Sequence, residues 1–148
     1  MKQKIQIAIT SFLIISSTLS LQSFSKPGGD FYRIYLNDKL LVEQFLHAPK
    51  EFRYISLNKD NSDDYLIIHY SHCGLGGKSR VISLKDEKGN NLKNWKFEDA
   101  KSTGMRIAVK EILKFSNGKT INIYYTSKEL STGLKLTSLI SKSSLAKF

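Results

Sequence analysis

Reactive side chains crowd together in one stretch of this 148-residue chain, His69-Tyr70-Ser71-His72-Cys73-Gly74-Leu75-Gly76-Gly77-Lys78-Ser79, which holds two of the three histidines and the sole cysteine. Three chemistries deserve a test against that spacing. A thiol beside an imidazole, followed by glycines whose amides could hold an oxyanion, is the raw material of nucleophilic catalysis. Adjacent residues on a strand diverge, however, so His72 next to Cys73 is no evidence of a working pair. A transition metal needs a third and usually a fourth ligand. His47 is the only other histidine, and the spacing matches no standard zinc pattern. A phosphate loop fails as well, because its first glycine would fall at His72. The plain expectation is a buried, inert Cys73 closing a core strand. His69, His72 and Cys73, with Lys78 and Arg80 just past the glycines, stand as candidate binding residues. No catalytic residue, metal ligand or cofactor is assigned.

Other constellations are weaker. The loop Asp60-Asn61-Ser62-Asp63-Asp64 offers oxygens of the kind calcium takes. It has Tyr65 where a helix–loop–helix calcium site needs glycine, so a solvated turn is expected. Glu43, Glu98 and Glu129 are carboxylates of the type used in glycoside hydrolysis, with nothing to fix their separation. Tyr35, Tyr124 and Tyr125 are aromatics of the type that stacks on sugar rings.

The elements that must position these residues follow from period-two alternation, which dominates the chain. Phe31–Leu36 reads as a first strand with Tyr32, Ile34 and Leu36 on one face. Asn37-Asp38-Lys39 turns it into a hairpin partner over 40–46, and Pro49 ends that pair. Residues 52–57 form a third strand. Residues 65–72 (YLIIHYSH) are apolar on both faces and are expected at a sheet centre. A second hairpin spans 79–85 and 92–98 around Gly89-Asn90, with Trp95 and Phe97 expected to anchor the core. Strands follow over 105–109, Thr120–Thr126 and 134–140. Between them, 110–115 fits either one helical turn or an irregular crossover, and 141–148 reads as a frayed tail. Eight or nine short strands with turn signals between them predict an all-β fold, an antiparallel β-sandwich of immunoglobulin-like type, with a closed barrel as the alternative.

The N-terminus adds a compartment. Lys2 and Lys4 precede an uncharged run over 5–25, and Ser23 and Ser25 straddle Phe24 in a small-x-small layout. This reads as a signal peptide over 1–25, with a single domain over 26–148 that is periplasmic or secreted. One cysteine forms no internal disulfide, so burial alone must hold that domain together. Without the two leader lysines the charge is 21 basic against 13 acidic residues, and the excess sits beyond Lys78. Such asymmetry suits an anionic glycan or an envelope protein as partner and, outside the cytoplasm, not nucleic acid. Evenly spaced lysines also keep exposed strand faces soluble, so the electrostatic reading has a plain competitor.

The leader, the FYRIYLNDKLLVEQFLH hairpin, the YLIIHYSHCG strand and loop, the SLKDEKGNNLKNWKF hairpin and the YYTSKELSTGLKLTSL ending resemble a group of small exported proteins of unknown function from Gram-negative bacteria. The resemblance implies export and one domain, and brings no activity or residue roles. A non-catalytic binding module is therefore the leading expectation. A small envelope hydrolase or thiol-dependent enzyme centred on residues 69–73, and an inhibitor or immunity-type protein, are the alternatives.

Overall fold

The computed structural model describes residues 29–51, 53–99 and 104–141. The expected leader and all of the expected tail but Ser141 lie outside the described residues. Among the described residues nine strands form two sheets with no barrel closure, the predicted all-β sandwich. Sheet A has the order β2-β1-β4-β7, built from β1 (Phe31–Leu36), β2 (Lys39–Phe45), β4 (Tyr65–Ser71) and β7 (Met105–Ala108). Sheet B has the order β3-β9-β8-β5-β6, built from β3 (Tyr54–Leu57), β5 (Arg80–Lys85), β6 (Asn91–Phe97), β8 (Thr120–Thr126) and β9 (Leu134–Ser141).

Alternation buries one face of each sheet. Tyr32 and Ile34 of β1, Leu66, Ile68 and Tyr70 of β4, Ile82 and Leu84 of β5, and Ile121, Ile123 and Tyr125 of β8 all lie in one core. Full burial of such side chains stabilises by roughly 1.5–3 kcal/mol each before chain entropy is counted. The buried Tyr32 phenol reaches across the layers and is satisfied, its hydroxyl donating to the Leu136 carbonyl at 2.6 Å.

Neighbour pairing is antiparallel with one exception, the parallel ladder of β3 on β9. Its origin is the crossover after β2. The buried Gln44 amide donates to the Phe45 and Pro49 carbonyls and its oxygen accepts the Glu51 N–H, steering the chain from sheet A to the rim of sheet B. The segment left open between two readings is a two-turn helix, α1 (Val109–Ser116). Val109, Ile112 and Ser116 face the core at helical spacing, and Asn117 in the left-handed region (φ 32°) followed by Gly118 (φ 76°) stops it. Trp95 and Phe97 pack against the core, as expected, but from its edge and not at its centre. They lie half-buried on β6, an edge strand, and the Trp95 indole N–H donates to Glu111 of α1 at 2.9 Å. Alternation gives the face of a residue and not its depth, and Tyr32 and Tyr125 take the central position instead.

Candidate functional site

Beyond Ser71 the chain reverses tightly. His72 and Leu75 exchange both backbone hydrogen bonds, at 2.8 and 2.9 Å, around Cys73 (φ 49°) and Gly74 (φ 91°). Two successive positive φ values are the type I′ geometry that follows the twist of a hairpin. The turn swings Cys73 outward, so the expected buried thiol is exposed. Its N–H donates to Asp30 Oδ1 at 3.2 Å, and its Sγ lies 3.6 Å from the same oxygen.

The turn aims His72 inward, with a side chain only 12% exposed. Nδ1 lies 3.1 Å from Asp30 Oδ2, and Nε2 lies 3.1 Å from both the Tyr125 hydroxyl and Ser127 Oγ. A proton on Nδ1 satisfies Asp30 and leaves Nε2 to accept, the tautomer consistent with all three contacts. Tyr70 donates to Asp30 Oδ2 at 3.2 Å and stacks on Tyr125 with ring centroids 4.2 Å apart. Burial, reinforced by the Asp30 carboxylate, holds the Tyr70 hydroxyl protonated well beyond the usual phenol range, and burial also raises the pKa of Tyr125.

Asp30, His72 and Ser127 thus stand in the carboxylate–imidazole–hydroxyl line of a serine hydrolase. The surroundings oppose that chemistry. Ser127 is 5% exposed, and its Oγ also accepts the Leu130 N–H at 3.1 Å. Gly77 lies directly over the line. A methyl group on it would sit 2.3 Å from the Tyr125 hydroxyl, 2.9 Å from His72 Nε2 and 3.1 Å from Ser127 Cβ. Where a methyl has no room, an acyl carbon has none. The Lys78 amide, a candidate oxyanion donor of the glycine loop, is spent on Glu129 at 2.9 Å. The cluster acts as a lock that pins the glycine loop and residues 127–130 to Asp30.

The five candidate binding residues therefore separate. His72 and Cys73 meet at Asp30. Arg80, 5% exposed, donates from its guanidinium to the Glu98 carbonyl at 2.6 Å. Lys78 is exposed at the loop edge, and its main chain holds Glu129 and Lys128. His69 points away from the core, edge-on to Tyr35 at 5.6 Å between centroids. Burial, then the Arg33 and Arg80 charges, lower its pKa below the ordinary imidazole value. Of the three tyrosines of the sugar-stacking type, Tyr125 is fully buried. The 60–64 loop closes on itself, with Asn61 donating to Asp64 at 2.9 Å and Asn58 to Asp60 at 3.1 Å. Among the described residues, no three His, Cys, Asp or Glu side chains are grouped to hold a metal ion.

What sequence reasoning missed is the outer face of sheet A. Register brings Phe45 beside Phe31, Glu43 beside Arg33 beside His69, Leu40 beside Tyr35 beside Ile67, and Ile67 beside Arg106. Phe31 and Phe45 rings lie 5.5 Å apart, Arg33 sits 5.1 Å over Phe31 and pairs with Glu43 at 2.6 Å, and Arg106 lies 3.7 Å over the Tyr65 ring. Two of the four arginines are on this face, and among the described residues no lysine is, in a chain with 23 basic residues. The opposite surface, on sheet B, is of another kind. Its outward positions include Ser83, Asn94, Lys96, Thr120, Asn122, Tyr124 and Thr126. Fold and surface together define a two-sheet β-sandwich with one closed polar cluster and one open aromatic–arginine face. The chain matches no family model, and no curated protein matches it.

Proposed function

We propose that this chain is an exported protein, periplasmic or secreted, that works as a non-catalytic binding module and recognises its partner with the outer face of sheet A. The observation that carries the reading is the composition of that face. Tyrosine, phenylalanine and arginine are the residues enriched where proteins bind proteins, and lysine is depleted there. Half-exposed rings already packed against guanidiniums lose little side-chain freedom on docking. Of an envelope protein and an anionic glycan, this composition favours the protein. Strand order supports an immunoglobulin-like architecture. β1, β4 and β7 stand against β9, β8, β5 and β6, and β3 runs parallel to β9 as a first strand that changes sheets does in such domains. The charged leader with its small-x-small end supports export.

The test is paired. Envelope proteins captured by the wild type are compared with those captured by Tyr65→Ala/Arg106→Ala and by a sheet B control, Asn94→Ala/Lys96→Ala. A partner lost only from the sheet A variant, with its circular dichroism unchanged, is the expected result. Equal capture by all three overturns the assignment, and an N-terminus retained intact in the cytosol overturns export.

A further inference from the structure

Open crevices run in a row along the side of the sandwich where β2 and β3 end their sheets. The largest, about 420 Å³, has Leu36, Leu41, Val42 and Ile55 for a floor. It shares Arg53 and Tyr54 with a narrow one of about 20 Å³, which shares Lys50 with a third of about 150 Å³ beside Leu46 and Leu134. Four cations line the row, Lys39, Lys50, Arg53 and Lys135, against one carboxylate, Glu51. Glu51 is already paired with Arg53 at 2.7 Å. Among the described residues, the seven-residue β2 has a ladder on one side only, and Leu40 and Phe45 on it are exposed. Burial of Lys50 and the neighbouring charge of Lys135 weaken the Lys50 proton's hold. A strand edge without a neighbour among the described residues, above a crevice with an apolar floor and a polar rim of Lys39, Arg53, Ser56 and Asn61, is the setting for strand addition, with the main chain supplying affinity and alternate side chains supplying choice.

We propose that this seam receives an extended, acidic and apolar peptide segment of a partner protein, added to the free edge of β2 as a fifth strand of sheet A. Its inward apolar side chains fill the crevice over Val42 and Ile55, completing the core at its open side, and its carboxylates meet Lys39 and Arg53. An acyl chain would fill the same floor but leave the β2 amides and carbonyls without partners. The inference goes beyond the sheet A reading, since it needs the β2 edge and not Tyr65 or Arg106.

The experiment selects displayed random dodecapeptides against the mature protein and measures the affinity of the synthesised winners. Enrichment of Asp and Glu among β-branched residues is expected. N-methylation at alternate positions on one edge of the bound peptide is expected to weaken binding at least tenfold, and the same change on the other edge to leave it unaltered. Lys39→Glu/Arg53→Glu costs at least tenfold, whereas Tyr65→Ala/Arg106→Ala costs nothing. Failure of any peptide to enrich overturns the proposal. So does enrichment of basic peptides, indifference to N-methylation on both edges, or amide shifts along Lys39–Phe45 produced by laurate alone.

Discussion

The cluster around His72 and the outer face of sheet A use similar residues to opposite ends. Both combine tyrosine, histidine and a charged partner. In the cluster, Tyr70, Tyr125, Ser127 and Asp30 all point at one imidazole under a glycine lid, and no space remains. On sheet A, Tyr35, Tyr65 and His69 lean on arginines in a single layer open to water. A buried polar group needs all its partners inside the protein, whereas an exposed one keeps some for whatever docks. Residue type alone therefore does not mark a site; whether the surroundings leave it open does.

That contrast is broken most directly at the centre of the cluster. Tyr125→Ala removes a fully buried ring stacked on Tyr70 and leaves His72 short of a partner. It should lower stability by about 4 kcal/mol in chemical denaturation. Gly77→Ala comes next, since the added methyl meets the Tyr125 hydroxyl at 2.3 Å and must push the loop off the cluster. A loss of about 2 kcal/mol is expected, and a neutral result would mean that the loop is not locked.

Ser127→Ala sharpens the comparison with a smaller effect, about 1 kcal/mol. The decisive readout is chemical. The wild type should stay unlabelled by a fluorophosphonate probe. Labelling that disappears in Ser127→Ala would turn the lock into a catalytic triad and revive the hydrolase alternative.

The smallest effect tests the open face through pH. The pKa of His69 is lowered from 6.5 in the folded protein, so as pH falls below that value the unfolded chain takes up a proton first. Folding is thereby weakened on the acid side until the folded imidazole is protonated too. His69→Gln should remove this component, so the stability difference between wild type and variant should slope below pH 6.5 and level off above it. A difference that stays flat across that window would mean that His69 is solvated like a free imidazole.

Much of the fold could be read from alternation. Phe31–Leu36 and Thr120–Thr126 are strands with the boundaries their patterns imply, and β4 is central in its sheet as its two apolar faces required. The parallel pairing of β3 could not be read, because a strand's own pattern names no neighbour. Helix α1 is too short for its period to stand out. Site residues were legible by type but not by place. His72 was singled out, yet its partners Asp30 and Ser127 lie 42 and 55 positions away and carry no local signal. Cys73 lies outside the core because it follows β4 on the outward parity of His69 and sits at a turn position, whereas a cysteine's residue type alone suggests burial. The sheet A face arises from four separate strands, and each contributes only one to three ordinary residues.

Asp30 opens the described domain, and its carboxylate accepts from Tyr70 and the Cys73 amide beside His72, which in turn touches Ser127 near the far end. A chain delivered from its N-terminus therefore waits for nearly its whole length before this knot can be tied. Contacts so distant along the sequence slow the search for the native state.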